Sequence, residues 1–96
     1  MFTELIHLGF SNMAAINKAV AVISPNSAPA KRLIQEGRNR GLIIDVTNGR
    51  KTKAILIMDS GHIILAAITP ETIASRVMAT RRTDLRDPIG EKEQAD

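Results

Sequence analysis

Ninety-six residues, with thirteen Lys and Arg against ten Asp and Glu, allow one small domain of formal net charge +3. The absence of cysteine excludes a disulfide framework, a thiolate metal site and a thiol nucleophile. No apolar run approaches the roughly 18 residues a membrane span needs, and "MFTELIHLGF" lacks the pattern of a signal peptide, so the cytoplasm is the expected compartment.

In chain order, "FTELIHLGF" alternates Ile6, Leu8 and Phe10 against Leu5 and His7, which predicts a strand ending near Gly9 to Asn12. "NKAVAVIS" predicts a second, stopped by "SPNSAP", whose prolines cannot serve a central ladder. A helix follows, with Ser27 as N-cap, Pro29 in the first turn, an apolar stripe of Ala30, Leu33, Ile34 and Gly37, and Gly41 as its end. Three strands, roughly 42–47, 52–58 and 62–68, the last two joined by the tight turn "DSG", precede a second helix that opens at Thr69-Pro70 and carries Ile73, Val77 and Met78. The order ββαβββα describes an α+β domain on a largely antiparallel sheet, spanning residues 1–83. The remainder, 84–96, is polar and without an apolar period, the composition of a disordered tail.

That tail conceals charge. It holds five acids and two bases, so residues 1–83 carry +6. A basic domain favours a polyanion or an acidic partner over a neutral small molecule.

Residues 42–58 read as a hairpin. A three-residue loop is preferred over a two-residue Asn48-Gly49 turn, because it sets Asp45 opposite Lys53 and aligns Ile44 with Ala54. Ile55 and Ile57 then lie on one face, Leu56 and Met58 on the other, and both faces require cover. Either the two helices divide between the faces, or both lie on one and a neighbouring subunit covers Ile55 and Ile57. The second account is preferred.

Chemistry-bearing constellations are sparse. His7 and His62 fall within strands, the acids are scattered, and Ser24 and Ser60 lack an activating motif, so neither catalysis, a metal site nor a cofactor is expected. The cations are better organised. Arg50, Lys51 and Lys53 cluster at the hairpin tip, Lys18 precedes the second strand, and Lys31 and Arg32 occupy the first helical turn, against the dipole. Trp and Tyr are absent, and both phenylalanines read as core or strand residues. Single strands are held on stacked aromatics, so duplex phosphate binding is the better fit. A ring-forming RNA-binding protein and a structural oligomer with an acidic protein partner are the alternatives.

Four stretches, "IHLGFSN", "SPNSAPAKRLIQEGRNRG", "IIDVTNGRKTKAILIMDSGHIILAAI" and "PETIASR", together resemble the RemA-type extracellular matrix regulatory proteins of bacteria over roughly residues 5 to 78. The resemblance implies a DNA-binding regulator of biofilm-matrix genes without enzymatic activity, similar in fold to a LytTR-type module and associated with the nucleoid. It also implies a homo-oligomeric ring, an octamer, whose rim engages and wraps duplex DNA through arginines. By the same resemblance the hairpin arginine pair falls on Arg50 and Lys51, an arginine before the second strand on Lys18, and a functionally important proline on Pro29. Lys18 and Lys51 depart from that pattern, and lysine lacks the planar fork that grips a phosphate at two points.

Overall fold

A computed structural model describes residues 3–85. The elements in order are β1 (Leu5–Gly9), β2 (Asn12–Ala15), a single 3-10 turn (Ile16–Lys18), β3 (Ala19–Ile23), α1 (Ala28–Arg40), β4 (Ile43–Asp45), β5 (Ala54–Met58), β6 (Ile63–Ala66) and α2 (Pro70–Leu85). The domain is α+β, with β1-β2 as a two-stranded sheet and a four-stranded sheet ordered β3-β5-β6-β4. β2 is one strand more than expected. Its four residues, Asn-Met-Ala-Ala, carry little β propensity and form a strand by pairing with β1 across Leu5↔Ala15, Ile6↔Ala14 and His7↔Met13.

α1 begins and ends, and α2 begins, where their caps place them. Ser27 accepts a hydrogen bond from the Ala30 N–H at 3.2 Å, with Pro29 in the first turn. Gly41 takes the left-handed conformation (φ 71°), and the Gly41 and Leu42 N–H groups donate to Arg38 and Gly37 carbonyls at 3.2 and 2.9 Å. The Thr69 hydroxyl accepts from the Thr72 N–H at 3.1 Å to open α2. The α2 stripe is narrower than expected: Ile73 is buried and Val77 half-buried, but Met78 is 59% exposed. α2 takes in residues 84 and 85, and the rest of the expected tail, 86–96, lies outside the described residues.

The helices divide between the faces of the larger sheet, which corrects the preference for a subunit-covered second face. α1 lays Ala30, Leu33 and Ile34 on Ile55, Ile57, Ile63 and Leu65. Ile73 and Val77 of α2 join the β1-β2 hairpin, through Ile6, Leu8 and Ala14, over Leu56, Ile64 and Ala66. α1 sits close: a Cβ at Gly37 would fall 2.8 Å from the Cδ1 atoms of Ile43 and Ile63. Ile55 and Ile57 therefore belong to the chain's own core, where burying such a side chain stabilises by about 1.5–3 kcal/mol. A charge there would strike that core rather than a free face.

The β4-β5 hairpin is the second correction. β5 and β6 form the expected tight hairpin, with Ile57 opposite Ile63 and the Met58 N–H on the His62 carbonyl at 2.9 Å. β4, however, pairs with β6 and not with β5, in parallel, through Ile43↔Ile63, Ile44↔Ile64 and Asp45↔Leu65. The physical reason is apolar matching: β6 is buried along its length and takes a strand on both edges. Residues 46–53 must then cross the end of β6, two strand spacings or about 10 Å.

Candidate nucleic-acid interface

The crossing segment is tied down at both ends on one strand. The Val46 N–H donates to the Leu65 carbonyl at 3.0 Å and the Lys53 N–H to the Ala66 carbonyl at 2.8 Å. At its base, Asp45 Oδ1 accepts from the Thr47 N–H at 2.9 Å and from the Thr47 hydroxyl at 2.6 Å. Those bonds, the hydroxyl's foremost, hold the Asp45 carboxyl below its ordinary range; Arg38 adds a weaker pull and burial opposes it. Asp45 thus serves Thr47, which is 3% exposed, rather than standing opposite Lys53. Asn48 (φ 56°) and Gly49 (φ 80°) follow in the left-handed region, closed by the Arg50 N–H on the Thr47 carbonyl at 3.0 Å. This is a two-residue turn of the kind Asn-Gly favours, so the turn residues act as such although the strands they join are not neighbours. Arg50, Lys51 and Lys53 project from it, all exposed.

A second turn meets the first. Gly9 (φ 95°), Phe10 (φ 54°) and Ser11 (φ 66°) connect β1 to β2, and Asn12 Nδ2 donates to the Gly9 and Phe10 carbonyls at 3.1 and 3.2 Å. A non-glycine residue held in this region costs about 1–2 kcal/mol, so Phe10 and Ser11 are both strained. Phe10 is 45% exposed, which corrects its assignment to a strand face, and Phe2 lies outside the described residues. The Arg50 guanidinium carbon stands 5.6 Å from the Phe10 ring centroid, within cation–π range. Sequence reasoning missed this residue. The signal that could have found it is the bracket of Gly9 and Asn12, both turn formers, around an unlikely turn pair.

The other cations fall into two places. β3 ends at Ile23, paired with Ile55, so α1 starts at the same end of the sheet as Lys53, and Lys31 and Arg32 are exposed there. Pro29 is exposed beside them and borders a shallow recess with Ile23 and Leu33. Lys18 is at the opposite end, its carbonyl accepting from the Asp59 N–H at 2.8 Å in the β5-β6 turn. The length of β5, about 17 Å, separates it from Lys53. His7 and His62 do not come together: His62 Nδ1 lies 2.8 Å from the Ser60 hydroxyl at that far turn, and the His7 carbonyl accepts from Arg76 at 2.7 Å. Among the described residues, no group of three or more His, Asp or Glu could hold a metal ion. No helix among them is long and apolar enough to cross a membrane.

Known proteins resemble this chain along nearly all of its folded length. A protein of Dehalococcoides mccartyi strain BAV1, named a regulatory protein, is 57% identical over 81 residues, 84% of each chain. One of Thermoanaerobacter sp. strain X514, likewise named, is 49% identical over 94 residues, 98% of this chain and 97% of its own. A Clostridium perfringens relative of the same name is 48% identical over 87 residues, 91% of this chain. The sequence profile of the RemA-like family, described as extracellular matrix regulatory protein A-like, matches residues 5–77, from the start of β1 to the second turn of α2, and the chain belongs to that family.

Proposed function

We propose that this chain is a non-catalytic regulator that binds duplex DNA as a homo-oligomeric ring, an octamer by its resemblance, and acts on extracellular-matrix (biofilm) genes at the nucleoid. One observation carries the DNA reading. Three cations, Arg50, Lys51 and Lys53, are exposed on a turn whose two ends are hydrogen-bonded to the same buried strand. Cations on so fixed a support can meet phosphates with little ordering cost. Lys31 and Arg32 extend the patch at the same end of the sheet, and the relatives' shared name of regulatory protein agrees with the role.

The oligomer reading moves from Ile57 to another surface. β3 is an edge strand, and its Val20 is 70% exposed beside Met78 of α2, with Ala19, Pro70 and Val77 lining an apolar groove between them. A second copy seated there would cover both. Repetition around a ring would supply what one subunit lacks, because each bound tip raises the effective concentration of DNA at the next. Lys18, at the far end of β5, would serve a stretch of duplex other than the one its own Arg50 holds.

The exposed ring of Phe10 favours a second reading, single-stranded nucleic acid. Strand-binding surfaces stack successive bases on several aromatics, whereas Phe10 is one ring whose neighbour is Arg50. Duplex therefore remains the better partner. The test is a titration of duplex DNA, single-stranded DNA and RNA of equal length at several salt concentrations, with the mass of each complex measured. Tight, salt-sensitive binding confined to duplex by an oligomer is expected. Preference for single strands, or no binding to any of the three, would overturn the proposal.

A further inference from the structure

The turn that carries Phe10 is built against its own backbone. Left-handed turn positions favour Asn and Gly, and here Phe10 and Ser11 occupy two of them in succession. Burial does not account for the ring, since Phe10 is 45% exposed while Ile6 and Leu8, on the same strand side, are 3% and 1% exposed. What the ring does meet is Arg50, 5.6 Å from its centroid. Arg50 belongs to a different turn, forty residues on, that is fixed independently through Thr47 and β6.

We propose that Phe10 is a positioning residue for Arg50: its ring restrains the guanidinium over the β1-β2 turn, so that its N–H groups are presented to a duplex phosphate. A free arginine on an exposed turn samples many rotamers and loses that freedom on binding. An aromatic floor removes part of the loss beforehand. The guanidinium suits the task because it can lie against a ring while still donating in its own plane, which an ammonium cannot. This account explains why a strained turn keeps a bulky side chain that packs into neither cluster of the core. It rests on the duplex reading of the basic loop.

The test is a double-mutant cycle on duplex affinity at one fixed salt concentration, with Phe10→Leu, Phe10→Tyr, Arg50→Ala and the Phe10→Leu/Arg50→Ala pair. Thermal melting confirms folding, and Phe10→Asn, which suits the left-handed backbone, replaces Phe10→Leu should the latter fail to fold. Phe10→Leu should weaken binding about two- to fivefold, the range of an exposed cation–π contact. Phe10→Tyr should bind as the unmodified chain does, and Phe10→Leu should cost nothing further once Arg50 is Ala. An equal loss in both Arg50 backgrounds, or no loss in either, would overturn the proposal. A wild-type affinity for Arg50→Ala would instead overturn the duplex reading of the loop itself.

Discussion

The turns at Phe10-Ser11 and at Asn48-Gly49 adopt the same left-handed backbone within reach of each other, yet they are made from opposite materials. Asn48 and Gly49 are the residues such a turn selects, and the turn they form is anchored to β6 on either side. Phe10 and Ser11 are residues it selects against, bracketed by the β1-β2 pairing and clamped by the side chain of Asn12. The first turn is optimised to hold its shape and carries exposed charge. The second accepts strain and places an aromatic ring beside that charge. Local strain next to a candidate binding residue indicates what the turn is for, because stability alone would remove it.

The comparison can be broken most forcefully by exchanging the materials. Installing Asn48→Phe together with Gly49→Ser should destabilise the fold by about 1–3 kcal/mol, read from urea denaturation midpoints. A change within the error of that measurement would mean the loop tolerates what the β1-β2 turn tolerates, and the contrast would disappear. The reverse substitution is gentler. Ser11→Asn, at an exposed position, should raise stability by up to about 1 kcal/mol, since Asn enters the left-handed region several-fold more readily than most residues. A loss of that size would show that Ser11 is held by something other than the turn.

The smallest expected effect belongs to Asp45, at the base of the optimised turn. Its carboxyl is depressed in the folded chain, so its contribution is present at neutral pH and is lost as pH falls through the folded value, below about pH 4. Because the side chain is exposed, solvent screens the effect and the loss should be slight. Thermal melts of Asp45→Asn should accordingly show a shallower acid limb than the unmodified chain. Superimposable limbs would place the acid sensitivity at other carboxylates.

How far these features were legible in the sequence depended on whether their cause was local. Ser27, Gly41, Thr69 and Pro70 announce helix ends through their own capping chemistry, and the tight turn at "DSG" announces the β5-β6 hairpin. The two-residue Asn48-Gly49 turn was passed over for a three-residue loop, because the strands on either side were taken for partners of each other. Asp45 opposite Lys53 satisfied a charge pairing, whereas the fold is decided by β6, some twenty residues later, whose buried run recruits β4 in parallel. The cover for Ile55 and Ile57 was misjudged for a similar reason. The β1-β2 hairpin shares the Leu56 face with α2, which leaves α1 to cover Ile55 and Ile57, and the four weakly β-forming residues of β2 gave no sign of it. At the candidate site, each cation's exposure could be anticipated from its own type. The separation of Lys18 from Arg50 could not, because it follows from the register of β3 on β5.

The claim that the basic loop grips phosphates is tested most directly by the salt dependence of duplex affinity, for the unmodified chain and for Arg50→Ala/Lys51→Ala at equal assembled mass. Loss of the contacts should weaken binding at least about tenfold and flatten the slope of log affinity against log salt by about one unit for each phosphate contact removed. An unchanged slope with intact affinity would contradict the account and place the binding surface elsewhere on the domain.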